Sequence, residues 1–431
     1  MNSVNQTAAG AAEAPAEQEA PETPTVVYPV LNMPAGGVPD VVEDERRLLT
    51  AAAALAAGTG PMAVDAERAS GYRYGQRAYL VQVRREGAGT WLIDPMACPD
   101  LSPLSEATAG VEWILHAATQ DLPCLAEVGM APTVLFDTEL GARLAGLARV
   151  GLSAVAEHYL GMSLAKEHSA VDWSSRPLPE PWLRYAALDV EILAALRDAM
   201  HADLVSQGKQ EWARQEFAAL VDFTKPAARP DPWRRTSGIH RVRNRRTLAI
   251  VRELWYLRDD VARTRDISPG RVIPDAMLLE VAVAAPSSAD ELAKVTHNKA
   301  VRRYSSPILD AVRRAVSLPE SAWPVASLPG DGPPPARVWA DRDPVAAQRL
   351  QSARTALGEF AAEHHLPVEN LLSPDTLRRV LWEPPAATVD EVGAELAARG
   401  ARSWQIDIAA PLIVAVLQGD NRVPAGTDRV T

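Results

Sequence analysis

The stretch Met62–Arg68 reads Met-Ala-Val-Asp-Ala-Glu-Arg, and its apolar first half predicts a buried β-strand. Side chains along a strand alternate between its two faces, so Asp65 and Glu67 point to the same face. An isolated pair of this kind most often lies on a solvated strand. Because these two carboxylates end a strand that is predicted to be buried, and because like charges repel each other, we favour a functional pair that holds something positive.

The segments around this strand predict an α/β domain with a mixed sheet, since β-type runs come first and are followed by one more strand and several helices. Prolines at 226, 230 and 232 end the last helix and begin a linker. We therefore expect the domain to occupy residues 45–225. The other predicted elements are strands at 78–83, 90–93 and 113–116 and helices at 121–128, 137–147, 151–159 and 181–207.

The remainder of the chain is an internal repeat with an offset of 100 residues. Leu257 and Leu357 coincide, as do Pro274 and Pro374. Both copies begin with an amphipathic helix and then reach a Pro-Asp pair that suits a helix start. These features predict two small all-α domains. Their boundaries are 244–316 and 345–420, with a basic linker at 226–243 and a spacer containing seven prolines at 317–344.

The net charge of −11 at first disfavours a nucleic-acid partner. However, residues 1–45 contain eight acids and no Lys or Arg, and without them the net charge is −3. The first 44 residues, rich in Ala, Pro and Glu, predict a disordered acidic tail, and 421–431 predict a C-terminal tail. Two cysteines cannot form a disulfide framework, and no apolar run approaches the length of a membrane span. We expect a cytoplasmic protein that does not enter a membrane.

Three further polar residues complete a set with chemical meaning. Asp121 precedes a predicted helix, where capping alone would explain it, and Tyr185 and Asp189 lie one helical turn apart, a spacing that is also common on exposed helices. Together with Asp65 and Glu67 they supply four carboxylates and one phenol. Cleavage of a phosphodiester by two divalent ions requires several hard oxygen ligands of this kind, and the tyrosine hydroxyl could orient the attacking water.

At this point the sequence resembles the ribonuclease D family, a tyrosine-bearing branch of the DEDD superfamily of 3′–5′ exonucleases, in its actinobacterial form. The two helical repeats are similar to HRDC domains, which follow the exonuclease domain in that family. Val295–Arg302 departs from the pattern, since HRDC domains often have a Gly-containing turn there, and the second repeat is more divergent. The matching stretches of the first domain are 64–68, 116–122, 135–140, 168–178 and 185–189.

The resemblance implies an RNase H-like exonuclease domain, two divalent ions (Mg²⁺ or Mn²⁺), and stepwise release of 5′-nucleotides from the 3′ end of structured RNAs such as tRNA precursors. It also implies that Tyr185 positions the attacking water. Side chains that would contact substrate are Lys166, His168, Trp173 and Arg176. The implied metal ligands are Asp65, Glu67, Asp121 and Asp189.

A run of arginines without an intervening acid lies between the first domain and the first repeat. It is a candidate for binding RNA phosphates, and the neighbouring Trp233 could stack on a base. The alternative is a solvated linker whose arginines pair with acids elsewhere. The six residues are Arg234, Arg235, Arg241, Arg243, Arg245 and Arg246.

Two other functions compete with an exoribonuclease. A non-catalytic RNA-binding or scaffold protein could keep the fold, but the complete set of four acids and one tyrosine disfavours it. An exonuclease acting on DNA would use the same site. The partner that we expect is RNA with a free 3′ end, and one site per chain with its own helical domains predicts a monomer.

Overall fold

The computed structural model describes residues 28–165, 170–224, 227, 230–328, 330 and 332–419. The predicted C-terminal tail, the first 27 residues of the predicted N-terminal tail, and the substrate candidates Lys166 and His168 therefore lie outside the described residues.

A six-stranded mixed sheet forms the centre of the first domain, in the order β2-β5-β4-β3-β6-β7. The pairs β3–β4 and β4–β5 are antiparallel, whereas β2–β5, β3–β6 and β6–β7 are parallel. The short strands β1 and β8 pair separately. This confirms the predicted α/β domain with a mixed sheet. The strands are β1 Val30–Leu31, β2 Val41–Val42, β3 Thr59–Arg68, β4 Ala78–Glu86, β5 Gly89–Ile93, β6 Glu112–Leu115, β7 Val134–Asp137 and β8 Ser163–Leu164.

Helices cover both faces of the sheet and bury its apolar side chains. The helix predicted over 181–207 is interrupted at Ile192, and its first half, α6, packs across β3, β4 and β5. Small alanines at 186 and 187 form the buried face of α6, so the helix approaches the sheet closely. The helices are α1 Glu45–Ala57, α2 Ser102–Ala107, α3 Leu122–Ala126, α4 Thr138–Leu144, α5 Leu152–Leu160, α6 Glu180–Glu191, α7 Leu193–Ser206 and α8 Gln210–Val221.

The predicted tail extends too far into the chain. Val41 and Val42 form β2, which pairs with Leu92 and Ile93 of β5 as an edge of the central sheet. Val42 is fully buried. The many acids before residue 45 suggested disorder, but two adjacent valines are sufficient to add a short strand to an existing sheet edge.

The first helical domain also incorporates residues that were predicted as linker. Trp233 is fully buried in its core beside Leu248 and Leu278, and short 3₁₀ turns span Pro232–Arg235 and Ile239–Arg241. The basic linker is therefore folded onto the domain from Pro232 onwards. Its helices are α9 Arg245–Arg265, α10 Pro269–Val272, α11 Asp275–Ala284, α12 Ala289–Val295, α13 Lys299–Arg302 and α14 Ser305–Val316.

The second helical domain packs against the α/β domain rather than standing apart from it. Trp404 stacks on Trp212 of α8 at 4.8 Å between ring centroids and donates its indole N–H to Glu216 at 3.0 Å. Trp339, at the end of the proline-rich spacer, is fully buried in the same core, so this end of the spacer is folded. The helices are α15 Trp339–Arg342, α16 Pro344–Glu363, α17 Val368–Leu371, α18 Pro374–Trp382, α19 Val389–Ala398 and α20 Ser403–Leu417.

The first helical domain attaches to the loop that joins β3 and β4. The Tyr74 hydroxyl donates to the carboxylate of Asp259 at 3.1 Å, and the backbone N–H of Ser268 donates to the Tyr72 carbonyl at 2.9 Å. This loop begins directly after Glu67 and Arg68, so the contact lies next to the acidic residues. Across the part of the chain that is described, no helix has the length and apolar character needed to span a membrane.

Candidate active site

Three predicted acids meet where β3 passes under α6. Oxygen atoms of Asp65, Glu67 and Asp189 all lie within 4.8 Å of one another. The alternation of β3 places the first two on the face that α6 covers, and α6 presents Asp189 from above, next to its buried alanines. Glu67 is 9% exposed. A mutually close set of carboxylates that solvent reaches only in part is able to hold a divalent cation.

Asp121 approaches the same site from the start of α3. It occupies the N-cap position, yet among the described residues its side chain makes no capping hydrogen bond. Instead it is 5% exposed and lies 3.4 Å from the guanidinium of Arg68. The capping explanation that the sequence allowed is therefore not realised, and Asp121 faces the charges of the site.

Asp137 contrasts with these acids because its hydrogen bonds are structural. Its carboxylate accepts from the backbone N–H groups of Ala117, Ala118, Glu139 and Leu140 at 2.8–3.1 Å. Four donors cap α4 and hold the turn after β6. Asp137 thus shapes the segment that carries Asp121.

The four acids destabilise one another's charges. Burial raises the pKa of Asp65, Glu67, Asp121 and Asp189 above the ordinary range. Repulsion adds to this effect, since neighbouring carboxylates further raise the pKa of Glu67, Asp121 and Asp189. Such a cluster favours the binding of a cation that can replace the lost solvation.

Tyr185 lies one turn before Asp189, and its hydroxyl donates a hydrogen bond to that carboxylate. Burial, followed by the charge of Asp189, raises the pKa of the phenol, so it stays protonated and is a hydrogen-bond donor at neutral pH. Its ring packs 6.5 Å from the ring of Trp173. The four-residue spacing on α6 therefore produces the predicted pair.

Arg68 was not singled out from the sequence although it directly follows Glu67. Its guanidinium lies near Asp121 and near the side-chain oxygen of Gln120, each at 3.4 Å. Its charge lowers the pKa of Asp65, Glu67 and Asp121, against the stronger effect of burial. Its position directly after the two acids of β3 could have identified Arg68 from the sequence, because a cation there is close to both carboxylates.

Two predicted substrate contacts are corrected by the structure. Trp173 is 0% exposed and packs against Trp182 in the core under α6, so it cannot touch a substrate. Arg176 binds the Asp94 carboxylate at 2.6 and 2.8 Å and the Tyr79 carbonyl at 2.7 Å. These bonds use the guanidinium to fix the loop before α6, which makes its role structural.

The arginine run separates into two groups. Arg234 pairs with Asp231 and lies over the ring of Trp233, and Arg245 donates to the carbonyls of Trp323 and Pro324. Because Trp233 is buried, it is not available to stack on a base. The guanidinium groups of the other four are exposed and make no hydrogen bond or ion pair with another residue of the described chain. They are Arg235, Arg241, Arg243 and Arg246.

A cavity of about 290 Å³ lies beside the acids, lined by Glu67, Arg68, Gly71, Tyr72 and Ala170 among others. The guanidinium of Arg271, from the first helical domain, stacks on Tyr72. The cavity thus connects the acidic cluster to the contact between the two domains.

Comparison with known proteins assigns each of the three domains. A family model described as a 3′-5′ exonuclease matches residues 39–205, and an HRDC domain model matches 247–312. A ribonuclease D of Pseudomonas paraeruginosa is 34% identical over 264 residues, covering 60% of this chain and 69% of that protein. A ribonuclease D of Gluconacetobacter diazotrophicus is 32% identical over a match that covers 66% of this chain and 72% of that protein.

The chain belongs to the ribonuclease D family. Together with the exonuclease domain, this membership makes it a 3′–5′ exoribonuclease, and the family implies divalent metal ions as cofactor. The HRDC prediction is confirmed for the first repeat. The second repeat instead matches a model described as the 3′ to 5′ exonuclease C-terminal domain, over residues 332–417. The actinobacterial form of the family stays a prediction.

Solved structures resemble this ribonuclease D over most of its length. A protein from Bifidobacterium adolescentis has 39% identity and a TM-score of 0.82, covering 91% of this chain and 100% of that one. Escherichia coli RNase D is described as an exoribonuclease involved in structured RNA processing. It has 25% identity and a TM-score of 0.64, and the match covers 88% of this chain and 98% of that one. The order of the three domains is therefore shared with a solved ribonuclease D.

Proposed function

We propose that this ribonuclease D trims the 3′ ends of structured RNAs, such as tRNA precursors, by two-metal-ion hydrolysis that releases 5′-nucleotides. The observation that carries the proposal is the meeting of Asp65, Glu67 and Asp189 within 4.8 Å under α6, with Asp121 and Tyr185 beside them. Structured RNA is the substrate class named for the E. coli relative. We also propose that the protein is a monomer and acts in the cytoplasm.

The donor set suits Mg²⁺ or Mn²⁺. These cations prefer carboxylate oxygens, and the four candidate ligands offer only such oxygens. Burial raises the pKa of all four acids, and repulsion by neighbouring carboxylates raises it further for Glu67, Asp121 and Asp189; bound cations remove this cost. When bound, the two ions would lower the pKa of the attacking water and neutralise charge on the leaving oxygen. Asp65, Glu67, Asp121 and Asp189 would hold them.

The protein's own groups have separate tasks in this mechanism. Tyr185, fixed by its hydrogen bond to Asp189, directs its hydroxyl towards the water that attacks the terminal phosphodiester. Arg68 carries positive charge between Asp121 and the cavity, where it would neutralise a phosphate oxygen. The cavity beside Glu67 would take the 3′-terminal nucleotide.

The exposed arginines extend this path towards the RNA body. Arg235, Arg241, Arg243 and Arg246 lie on the folded linker and first helical domain, and their charges would hold phosphates upstream of the 3′ end. Because RNA phosphates are contacted without reading bases, this surface suits substrates of varied sequence.

The test is digestion of a structured RNA with a single-stranded 3′ extension. With a 5′ label and Mg²⁺ or Mn²⁺, we expect a ladder that shortens one nucleotide at a time, release of 5′-nucleotides, and no product in EDTA. Asp189→Asn, which keeps the side-chain size, should abolish cleavage while RNA binding persists. Full activity of this variant would contradict the assigned site.

Two further arms separate the alternatives. Binding of RNA without cleavage by the wild-type protein would support the scaffold function. A DNA strand of equal sequence, digested faster than RNA, would support a DNA exonuclease that uses the same site.

A further inference from the structure

Gln82 lies in the middle of β4, directly opposite Asp65 of β3. Residues opposite each other in an antiparallel pair point their side chains to the same face of the sheet. The residues before and after it on that face of β4 both contact α6. Leu80 packs in the same apolar cluster as Ala186 and Ala187 of α6, and Arg84 pairs with Glu191 at 3.3 Å. Gln82 therefore faces α6, the helix that carries Asp189.

The side chain of Gln82 is buried without any hydrogen bond. It is 0% exposed, and neither its amide nitrogen nor its oxygen has a partner among the described residues. Buried amides almost always form hydrogen bonds, because burial without them is unfavourable. Asp94 and Asp137 follow that rule, since Asp94 binds Arg176 and Asp137 accepts four backbone N–H groups. Trp173 and Ser153 each have one buried polar atom without a partner among the described residues, whereas Gln82 has two.

Packing alone does not account for a glutamine at this position. Leu92, its neighbour on β5, and Leu80 on its own strand are both apolar and fully buried, so an apolar residue would fit the surroundings. A carboxylate would add to the negative charge that already raises the pKa of Glu67. An amide is the side chain that supplies a hydrogen-bond donor without adding charge.

We propose that Gln82 is a positioning residue for the metal site, whose amide donates a hydrogen bond to the Asp65 carboxylate, directly or through one water, when the cations are bound. Carboxylates that ligate a metal are commonly oriented by such outer hydrogen bonds. Asp65 offers an oxygen to the cluster with Glu67 and Asp189, and a carboxylate has enough lone pairs to accept an outer hydrogen bond as well. The inference rests on the proposed metal-dependent function.

The test compares Gln82→Met with wild type and with Leu92→Met. Methionine is close to glutamine in size and lacks the amide, and Leu92→Met changes the neighbouring strand without removing a polar group. Mn²⁺ affinity is measured by calorimetry on the full chain without RNA. We expect Gln82→Met to weaken Mn²⁺ binding by about 10-fold, and Leu92→Met to leave it unchanged.

Two independent readouts separate positioning from general packing. The thermal midpoint of metal-free Gln82→Met should equal or exceed that of wild type, because a buried amide without partners is removed. Cleavage by this variant should be slow at limiting Mn²⁺ and recover at saturating Mn²⁺, with KM for RNA unchanged. If the Gln82 amide instead stabilised the metal-free fold, Gln82→Met would lower the thermal midpoint.

The outcomes are distinguishable. Mn²⁺ affinity of Gln82→Met within twofold of wild type overturns the inference, as does a metal-free midpoint well below that of Leu92→Met. If wild type itself fails to bind Mn²⁺, the proposed metal-dependent function fails, and the inference fails with it. If wild type binds Mn²⁺ and both variants match it, only the role of Gln82 is lost.

Discussion

The guanidinium of Arg271 lies 4.1 Å from the centroid of the Tyr72 ring. Arg271 also donates through Nε to the carbonyl of Gly71 at 2.9 Å. Gly71 and Tyr72 line the cavity beside Glu67, whereas Arg271 belongs to α10 of the HRDC domain. The HRDC domain is thus attached to the wall of the cavity that would receive the RNA end.

Removing Arg271 should loosen that wall. The stacked cation contributes roughly 0.5–2 kcal/mol and the hydrogen bond about 1 kcal/mol. For Arg271→Ala we expect KM for a structured RNA to rise about 3- to 10-fold, with a smaller change in kcat and unchanged Mn²⁺ affinity. Steady-state kinetics would show this. Arg313→Ala, at an exposed pair with Asp310 in the same domain, is the control, and equal KM values for both variants would contradict the prediction.

Tyr185→Phe isolates the hydroxyl at the catalytic site. The ring still packs beside Trp173, but the variant loses the hydroxyl that donates to Asp189 and whose oxygen would accept from the attacking water. We expect the single-turnover cleavage rate to fall about 100-fold, as is usual for the loss of one positioned donor, while Mn²⁺ affinity stays near the wild-type value. Tyr159→Phe removes a hydroxyl that binds Asp203 at 2.7 Å outside the site. A similar loss of rate in both variants would show that the effect is structural.

The raised pKa values of the site acids predict how metal-free stability changes with pH. A carboxyl with a raised folded-state pKa keeps its proton where the unfolded chain has released it, so stability falls as pH rises from the ordinary values of 3.8 and 4.5 through the raised ones. Glu67→Gln removes one such charge.

Its melting temperature in EDTA should therefore exceed that of wild type, by an increment that grows as the pH rises above 4.5, the ordinary pKa of a glutamate. Added Mn²⁺ should stabilise wild type more than the variant. Thermal melts at several pH values measure both effects. An increment in EDTA that does not change with pH would contradict the explanation.

The acids of the site could be identified from the sequence because short-range geometry places them. Strand alternation puts Asp65 and Glu67 on one face, and helical periodicity puts Tyr185 beside Asp189. Their meeting depends on β3 lying under α6, which the resemblance to ribonuclease D implied and local pattern alone did not. The role of Asp121 was ambiguous for the same reason, since a cap and a site acid look alike in sequence.

What the sequence did not predict depends on contacts between distant segments. Trp173 lies in a family-like stretch near the site, but its burial is decided by packing under α6. Trp233 and Trp339 lie among prolines and arginines typical of linkers, yet each is buried in a core. A single large apolar side chain can anchor a segment whose average composition suggests a spacer. The residues next to Gln82 in sequence do not indicate its proposed role, because that role depends on its position opposite Asp65 across the sheet.

The four exposed arginines should account for most of the salt-dependent binding of this surface. Each phosphate contact contributes a slope of about 0.7–0.9 in log K against log salt. Replacing Arg235, Arg241, Arg243 and Arg246 with Gln should weaken RNA binding and reduce that slope by up to about 3. Cleavage of a short oligonucleotide should persist.

The control changes the two arginines that are already engaged. Arg234→Gln with Arg245→Gln removes bonds to Asp231 and to the carbonyls of Trp323 and Pro324, so the expected effect is a lower melting temperature rather than a lower slope. Fluorescence anisotropy over a salt series measures the binding. An unchanged slope in the fourfold variant would remove these arginines from the RNA path.

Glu216 connects the C-terminal domain to the exonuclease domain through buried contacts. It accepts from Trp404 at 3.0 Å and pairs with Arg402 at 3.4 Å. Glu216→Ala leaves the buried indole N–H of Trp404 without its acceptor and removes the ion pair with Arg402, which should cost about 1–3 kcal/mol of unfolding free energy. Arg214→Ala, on the same helix, breaks an exposed pair with Glu211 and should cost less than about 1 kcal/mol. Denaturant unfolding compares the two variants, and equal losses would mean that this contact does not hold the domains together.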